Sequence, residues 1–408
     1  MSALIEPFRA IRPTARSAPD VAARPYDVVT AAEAREQAGG NPWSFLHVSR
    51  AEIDCPPGTD PYDNAVYAAA ALAFARMQAD GVLVREDVPA LYAYRMTAGS
   101  HVQTGVAAAA SIEAYERNRV RRHELTRPDK ERDRTRQIAA VGAHTGPVLV
   151  AHPPSETVKS ALAAATAATP IADATTVEGT RHQVWAVTTP ATIERLVGAF
   201  EAMPAIYIAD GHHRSAAAAR LVREGGAPAA DARFLIVSFP ADELRVLDYN
   251  RVVRDLAGLS ADAFLKRAAD AFTVTPVPAA CRPERCYSFT MFLNGRWYRL
   301  DLRQPPAPER PARERLDVSL LSEHLLGPVL GIIDPRTDAR IDFVGGGRGL
   351  AALEERVRSG DAAVAFALYP TAFADVITVA DAGDVMPPKS TWFEPKLADG
   401  LLSLPLAP

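Results

Sequence analysis

Residues 206–226, which read IYIADGHHRSAAAARLVREGG, are the stretch that decides the fold. The stretch begins with a short apolar run, Ile206 to Ala209, of the kind that forms a buried strand. A helical pattern follows from Ser215 to Glu224, and the glycine pair at 225 and 226 is typical of a helix C-terminus. Residues 210–214 therefore form the turn of a strand-turn-helix unit.

This turn has the properties of an anion site. Gly211 lets the backbone approach a ligand closely, and the helix start that follows has about four backbone N–H groups without partners. The helix macrodipole places roughly half a positive charge at this helix start, where His212, His213 and Arg214 lie. The forked guanidinium of Arg214 matches the spacing of phosphate oxygens. Asp210 can position a metal ion or a proton. The residues predict a phosphate-binding turn beside a carboxylate.

The same residues allow a plainer interpretation, in which Asp210 caps the helix and both histidines lie on the surface. Two histidines and an arginine directly after a buried strand favour the functional interpretation. Adjacent helical residues point about 100° apart, so we predict that His212 and His213 hold no metal ion. The chain has three cysteines, too few for a disulfide framework. Cys281 and Cys286 have no second pair or flanking histidine that would complete a zinc site.

Composition narrows the class of protein. A chain of 408 residues predicts two or three domains, and 48% hydrophobic with 23% charged residues is typical of a globular protein. The net charge of -4 argues against non-specific nucleic-acid binding, although it leaves room for a local basic patch. There is no secretory signal pattern and no apolar run of about 20 residues that would span a membrane. We therefore expect a cytoplasmic protein that is not held in a membrane.

The rest of the chain alternates strand and helix patterns, which favours an α/β or α+β fold. An amphipathic helix is predicted over 63–80, and alternating residues on both sides of Gly99-Ser100 predict a β-hairpin over 91–110. The charge-rich stretch 112–141 resembles a solvated helical face, which Pro128 must break or restart.

A second candidate segment is His123-Glu124. Alone it is typical of a helix surface, and the H-E-x-x-H zinc pattern fails because Arg127 stands in the last position. A third candidate is the stretch 386–396, which is rich in donors and aromatic residues between prolines and could close over a ligand or act as a structural strap.

Several motifs together resemble a known prokaryotic family. The motifs are Pro25 to Val29, Asn41 to Val48, His123-Glu124-x-Thr126, Asp210 to Arg214, Tyr249 to Val253, Asp342 to Gly346 and Lys389 to Lys396. Their combination resembles the domain of unknown function 1015 family over almost the whole chain, from about Pro7.

A more distant resemblance is to the free L-serine kinases of the ParB/sulfiredoxin superfamily. Those enzymes carry a His-Glu pair, then a strand ending in Asp-Gly-His-His-Arg, then a late Pro-Lys-Ser/Thr-Thr segment. This chain has His123-Glu124, the turn 210–214 and the segment 388–391 in the same order. The resemblance implies that Glu124 is the base on the serine hydroxyl, that Asp210 is also required, and that the turn holds nucleotide phosphates.

The resemblance also implies an architecture. It predicts a ParB/sulfiredoxin-like catalytic core over residues 111–252, with an N-terminal extension over 1–110 packed on it. A C-terminal α/β domain over 253–408 would close over the site.

The expected reaction uses ATP or ADP as phosphoryl donor, with Mg²⁺, and L-serine or a similar hydroxy amino acid as acceptor. The candidate substrate contacts are His123, Thr126, Arg127, Lys389, Ser390 and Thr391. The sequence does not choose between ATP and ADP as donor. It also leaves undetermined which residues bind the acceptor carboxylate and amine, and the oligomeric state. Ala216 to Ala219 replace the aromatic and polar residues usual in relatives. The long segment before His123 is absent from the compact serine kinases. The shape of the acceptor pocket is therefore also undetermined by the resemblance.

Two other functions remain as alternatives. One is a nucleotide-binding ParB-like regulatory or DNA-associated module without kinase activity, which would need a helix-turn-helix and a basic face. The other is a sulfiredoxin-like repair enzyme, which needs a reactive cysteine beside the turn. Neither feature is found in the sequence.

Overall fold

The computed structural model describes residues 3–226 and 232–406. Its contacts divide the chain into two compact units: residues as far as Leu244 together with those from Pro395, and Arg245–Glu394. The chain therefore leaves the first unit, forms the second, and returns. No helix in the described ranges is long and apolar enough to cross a membrane.

The first unit contains short and long strands and helices in alternation. Its strands are β1 Ile5–Glu6, β2 Ile11–Pro13, β3 Leu83–Arg85, β4 Leu91–Ala98, β5 His101–Ser111, β6 Val120–Arg121, β7 Ala143–His144, β8 Val148–His152, β9 Ala172–Thr175, β10 Arg181–Val187, β11 Ile206–Asp210 and β12 Arg233–Pro240. Its helices are α1 Ala18–Val21, α2 Ala31–Ala38, α3 Leu46–Ser49, α4 Asn64–Ala79, α5 Ile112–Glu116, α6 Pro128–Val141, α7 Glu156–Ala165, α8 Pro190–Glu201 and α9 His212–Arg223.

A mixed sheet organises this unit. Within the described residues it has nine strands, in the order β6-β11-β8-β12-β5-β4-β10-β9, with β1 paired to β5. The pairs β6–β11 and β8–β12 are parallel, whereas β11–β8 and β12–β5 are antiparallel. The α/β class predicted from the alternation of elements is confirmed in this form, as a mixed sheet with helices.

The central strands are apolar on both faces because the sheet is buried. Val150 in β8, Ile208 in β11 and Ile236 in β12 are fully buried in one cluster with Phe200 of α8. Such near-continuous apolar runs are expected where helices cover a sheet. The core therefore lies directly behind the C-terminal end of β11, where the polar turn begins.

Several local predictions agree with the structure. Helix α4 begins after Asp63, whose carboxylate accepts a hydrogen bond from the backbone N–H of Ala65, as an N-cap should. The hairpin predicted around Gly99 is β4–β5, paired from Tyr92–Ala107 to Ala98–His101.

The stretch 112–141 differs from the predicted helical face. Helix α5 ends at Glu116, Asn118 has φ 59°, and β6 follows before α6 begins at Pro128. Asn tolerates the left-handed conformation that stops the helix, and Pro128 fits the first helical turn, where its missing N–H costs nothing. His123 to Arg127 therefore form a loop between a strand and a helix.

The second unit, Arg245–Glu394, has its own sheet. Its strands are β13 Val246–Leu247, β14 Tyr249–Val253, β15 Phe272–Val277, β16 Ser288–Leu293, β17 Arg296–Leu302, β18 Ile341–Gly345, β19 Val364–Ala367 and β20 Trp392–Phe393. Its helices are α10 Ala261–Ala268, α11 Asp317–Leu321, α12 Gly349–Arg358 and α13 Phe373–Asp381. Among the residues described, six strands pair in the order β15-β17-β16-β19-β14-β18.

The two units do not coincide with the three regions expected from the sequence. The expected boundary at residue 110 falls at the end of β5, and β5 pairs with both β4 and β12 of one sheet. Strands from before and after that boundary thus share hydrogen bonds. After the second unit, the short strand β21, Leu404–Pro405, pairs with β7 of the first.

Candidate functional site

The pairing of β6 with β11 brings two distant candidate segments together. The two strands are parallel, with Ile206 opposite Val120 and Tyr207 opposite Arg121. Parallel strands end at the same edge of a sheet, so the loop that starts after β6 lies beside the turn that starts after β11. His123-Glu124 and Asp210 to Arg214 therefore meet at one edge.

Gly211 makes the turn possible. Its φ of 97° and ψ of 28° are left-handed, a conformation that a side chain disfavours. A Cβ at this position would also lie 3.1 Å from Nε of Arg214 and 3.3 Å from Cα of Val148. The glycine thus allows both the sharp change of direction and the close packing of the helix start on β8.

The two histidines of the turn tie the loop after β6 to the helix. The backbone N–H of His123 donates to Nε2 of His212 at 3.4 Å, and that of Arg127 donates to Nε2 of His213 at 3.1 Å. Both Nε2 atoms are therefore acceptors. In neutral His212 the proton must sit on Nδ1, which lies 3.8 Å from Oε2 of Glu124.

Both buried histidines at this edge are held neutral. Burial lowers the pKa of His212 to about 4. Burial, with His212 beside it, lowers the pKa of His123 to about 3. The two rings pack edge to face, with centroids 4.5 Å apart. Glu124 is different, since 39% of its side chain is exposed. A carboxylate at the surface next to a neutral imidazole can accept a proton from a bound molecule.

Arg214 points into the protein. Its side chain is only 8% exposed, and Nη1 donates to the carbonyl oxygen of Pro147. Its Nη2 lies 3.5 Å from Oδ2 of Asp27 and 3.4 Å from Oδ2 of Asp210. Burial alone would lower its pKa, but the surrounding carboxylates raise it. The sequence predicts a guanidinium fork facing a ligand phosphate, whereas these contacts occupy it with protein groups.

Asp210 has two cationic neighbours. Oδ2 of Asp210 lies 3.5 Å from Nζ of Lys396 as well as 3.4 Å from Arg214. Burial acts to raise the pKa of this carboxyl, but Lys396 and Arg214 outweigh it and hold the pKa well below its usual range. Asp210 is therefore ionised at every physiological pH, and 28% of its side chain remains exposed.

A buried carboxyl, that of Asp399, lies near Arg214. Asp399 is 2% exposed, its Oδ2 accepts a hydrogen bond from the backbone N–H of Tyr26 at 3.3 Å, and its Oδ1 has no partner among the described residues. Burial raises its pKa to about 7, against the opposing charge of Arg214. Asp399, Arg214, Tyr26 and Gly146 line a cleft that encloses about 470 Å³, including its open mouth.

The remaining predicted site residues lie in two places. Thr126 donates to Oε2 of Glu131 at 3.1 Å, and Arg127 pairs with Asp129 at 2.8 Å, so both belong to the loop and the start of α6. Lys389, Ser390 and Thr391 belong to the second unit. There, Ser390 is buried and its Oγ donates to the carbonyl oxygen of Pro387.

Three residues of this edge were not among the predicted site residues. Asp27 lies in a short 3-10 turn, Tyr26–Val28, and Lys396 and Asp399 come from the segment that returns to the first unit. The signals for two of them were the motif Pro25 to Val29 and the stretch ending at Lys396. Nothing in the sequence around Asp399 distinguishes it.

Comparison with known proteins gives a family and some distant structural likenesses. A family model described as "Protein of unknown function (DUF1015)" matches residues 5–319. No curated protein matches the chain.

Among solved structures, a free serine kinase variant in complex with AMP is similar at a TM-score of 0.38 and 15% identity, over 74% of this chain and 91% of that one. A conserved hypothetical protein from Pyrococcus furiosus has a TM-score of 0.35 and 14% identity, over 73% of this chain and 94% of that one. SbnI with a C-terminal truncation, from Staphylococcus aureus, has a TM-score of 0.39 and 11% identity, over 74% of this chain and 87% of that one. Likenesses this distant do not establish a shared activity.

Proposed function

The chain belongs to this DUF1015 family, and we propose that it is a nucleotide-dependent kinase that phosphorylates the hydroxyl group of free L-serine, giving O-phospho-L-serine. The observation that carries the proposal is the meeting of Glu124 with the turn 210–214 at one sheet edge, through the parallel pairing of β6 and β11. This arrangement puts a candidate base beside a candidate phosphate site. The motif order shared with free serine kinases supports the same reaction.

The donor nucleotide, ATP or ADP, would place its phosphates at the start of α9. Backbone N–H groups of the first helical turn and the helix dipole favour an anion there. His212 and His213 would act through their place in the backbone turn, since their Nε2 atoms already accept hydrogen bonds from the loop. Because His212 is neutral, backbone N–H groups and Lys396 would supply the positive charge that attracts the phosphates.

We propose that the magnesium ion of this reaction binds at the carboxylates of this edge. Asp27 and Asp210 both approach the same nitrogen of Arg214, so two carboxylates lie close together. Mg²⁺ is commonly held by one or two carboxylates together with substrate phosphates. Asp210, supported by Asp27, would hold it, and the ion would supply charge neutralisation on the transferred phosphoryl group.

The acceptor would bind on the Glu124 side of the turn. The serine hydroxyl oxygen forms a bond to the terminal phosphorus, the bond from that phosphorus to the bridging oxygen of the nucleotide breaks, and the hydroxyl proton goes to Glu124. Phosphoryl transfer depends mainly on positioning and electrostatic stabilisation, with little covalent help from the protein. His123, Thr126 and Arg127 remain the candidate contacts to the acceptor.

Arg214 would act as a positioning residue. Its contacts to Pro147, Asp27 and Asp210 join β8, the 3-10 turn and the end of β11. A buried arginine with several partners fixes the groups around it because the unpaired charge would be costly. We extend the proposal to a ParB/sulfiredoxin-like core around this turn, and to a cytoplasmic reaction on a small molecule.

The test is direct. Purified protein is incubated with L-serine, Mg²⁺ and either ATP or ADP, and phosphoserine is measured by mass spectrometry. Formation of phosphoserine that depends on the nucleotide supports the proposal. If the folded protein forms no phosphoserine with either donor, the serine kinase assignment is wrong. Salt-dependent binding to duplex DNA in that same preparation would favour the DNA-associated alternative.

A further inference from the structure

The second unit contains a small polar cleft that has no part in the proposed reaction. Charged, hydroxyl and thiol side chains line it between the start of β16, α11 and α13. Its lining includes Cys286, Tyr287, Arg315, Asp317, Thr371 and Asp375, and it encloses about 510 Å³ including its open mouth.

Two charged side chains in this cleft have atoms without partners. Asp317 is only 8% exposed, and its Oδ2 has no hydrogen-bond partner among the described residues. Nε of Arg315 is buried and also lacks a partner there. A buried charged group without all of its hydrogen bonds is costly, so a ligand group of opposite charge held in the cleft would offset part of that cost through space.

The backbone fixes the position of Asp317. Its Oδ1 accepts a hydrogen bond from the backbone N–H of Tyr287 at 2.9 Å. Tyr287 has φ 67°, in the left-handed region that a tyrosine rarely adopts. Such strain persists where the surrounding structure holds it, so one oxygen of this cleft-lining carboxylate is anchored to the backbone.

The cleft carries both signs of charge. Burial, together with the charge of Asp375, raises the pKa of Asp317 to about 7. Burial also raises the pKa of Asp375, against the attraction of Arg315. A cation placed between the carboxylates would favour their ionised forms, and an anion would be attracted to the charge of the Arg315 guanidinium.

The thiol of Cys286 does not supply a nucleophile at neutral pH. Burial, with the nearby carboxylates of Asp317 and Asp375, raises its pKa above the ordinary value. The thiolate is the reactive form of cysteine, so the thiol stays protonated. The cleft is therefore suited to binding rather than to covalent chemistry.

We propose that this cleft binds a free α-amino acid as its zwitterion, with the ammonium group at Asp317 and Asp375 and the carboxylate at Arg315. The one molecule complements both signs of charge in the lining of the cleft, which neither a simple amine nor a simple carboxylic acid can do. The cleft is a separate site within Arg245–Glu394, and the proposal does not rest on kinase activity.

The cleft also contacts a segment singled out by the sequence. Oγ1 of Thr371, which lines the cleft, donates to the carbonyl oxygen of Ser390 at 3.0 Å. Ser390 lies in the Lys389 to Thr391 motif, so an amino acid that contacts Thr371 lies one side chain away from that motif.

Isothermal titration calorimetry of the full chain with each standard L-amino acid tests the proposal. At least one amino acid is expected to bind, and both Asp317→Asn and Arg315→Gln should weaken its binding at least tenfold. Arg313→Gln is the matched control, because Arg313 pairs with Asp384 and does not line the cleft. Glu124→Gln should leave this binding unchanged, which separates the cleft from the proposed kinase centre.

Proton release gives a second measurement. An ammonium group at Asp317 displaces the proton that a carboxyl with a pKa of about 7 partly retains. The binding enthalpy near neutral pH should then depend on the ionisation enthalpy of the buffer, and this dependence should disappear in Asp317→Asn. The proposal is overturned if no amino acid binds, if either cleft substitution leaves the affinity intact, or if Glu124→Gln abolishes the binding.

Discussion

Asp27 and Arg214 are 187 positions apart in the chain, and Oδ2 of Asp27 lies 3.5 Å from Nη2 of the buried guanidinium. The contact joins the 3-10 turn near the N-terminus to the helix start that carries the proposed phosphate site. Asp27 is thus the outer member of a chain of contacts that continues through Arg214 to Asp210.

We expect Asp27→Asn to lower kcat/KM for serine phosphorylation about tenfold, because Arg214 loses one of its carboxylate partners and the turn is held less tightly. Steady-state kinetics would measure the change. Asp20→Asn, at an exposed position of α1, is the control and should retain wild-type kinetics. Equal activity of Asp27→Asn and Asp20→Asn would contradict a role for the Asp27–Arg214 contact.

Glu124→Gln and Asp210→Asn should each reduce turnover by at least ~100-fold, because one removes the proposed base and the other removes the carboxylate beside the phosphates. Single-turnover measurements with unchanged circular dichroism spectra would separate chemistry from misfolding. Glu116→Gln, at the exposed end of α5, is the matched control. A near-normal rate for Glu124→Gln would transfer the role of base to another carboxylate such as Asp27 or Asp133.

Gly211→Ala and Gly179→Ala form a pair that separates two effects. Both glycines have positive φ, 97° and 81°, so each alanine costs about 1 kcal/mol or more in backbone strain. A Cβ at 179 meets nothing within 4 Å, whereas one at 211 meets Arg214 and Val148. Urea unfolding should show the larger loss of stability for Gly211→Ala, and only that variant should lose activity. Equal losses of stability would mean that crowding at the turn is unimportant.

His213→Leu should lower kcat more than His213→Gln, since leucine cannot accept the hydrogen bond that the backbone N–H of Arg127 donates at 3.1 Å, whereas the glutamine side-chain oxygen can. We expect a loss of about tenfold for leucine, because the loop that carries Glu124 is then untied from the helix. If glutamine and leucine reduce kcat equally, the hydrogen bond does not position the loop.

Asp399 should make the stability of the first unit depend on pH. Its folded-state pKa of about 7 exceeds the ordinary 3.8, so the folded state binds the proton more tightly. Its contribution to stability is complete below about pH 4 and is lost as pH rises towards 7. As the pH rises from about 4 to 7, the urea midpoint of the wild type should therefore fall relative to that of Asp399→Asn. Asp87→Asn is the exposed control, and a constant difference between wild type and Asp399→Asn would contradict the shift.

Sequence patterns predicted the elements with strong local signals. Helix α4 was predicted from its amphipathic pattern, and the β4–β5 hairpin from the alternating residues around Gly99-Ser100. The turn 210–214 was identified because an apolar strand runs directly into it. Each of these signals lies within a few residues of the element that it predicts.

The strand β6 could not be predicted in this way. Two residues give no periodicity, and the charged residues on both sides favour a helix. What makes Val120 and Arg121 a strand is pairing with β11, more than 80 positions along the chain. The contacts of Arg214 to Asp27 and of Asp210 to Lys396 have the same origin, since long-range packing determines them.

The return of the chain from the second unit to the first has a consequence for biosynthesis. Lys396 and Asp399, which contact or face the turn at 210–214, emerge from the ribosome only after all of Arg245–Glu394 has been made. A nascent or prematurely terminated chain that stops before residue 395 lacks the lysine partner of Asp210. Translation thus withholds the last charged group of the centre until the second unit has been synthesised, so an incomplete product cannot carry the finished constellation.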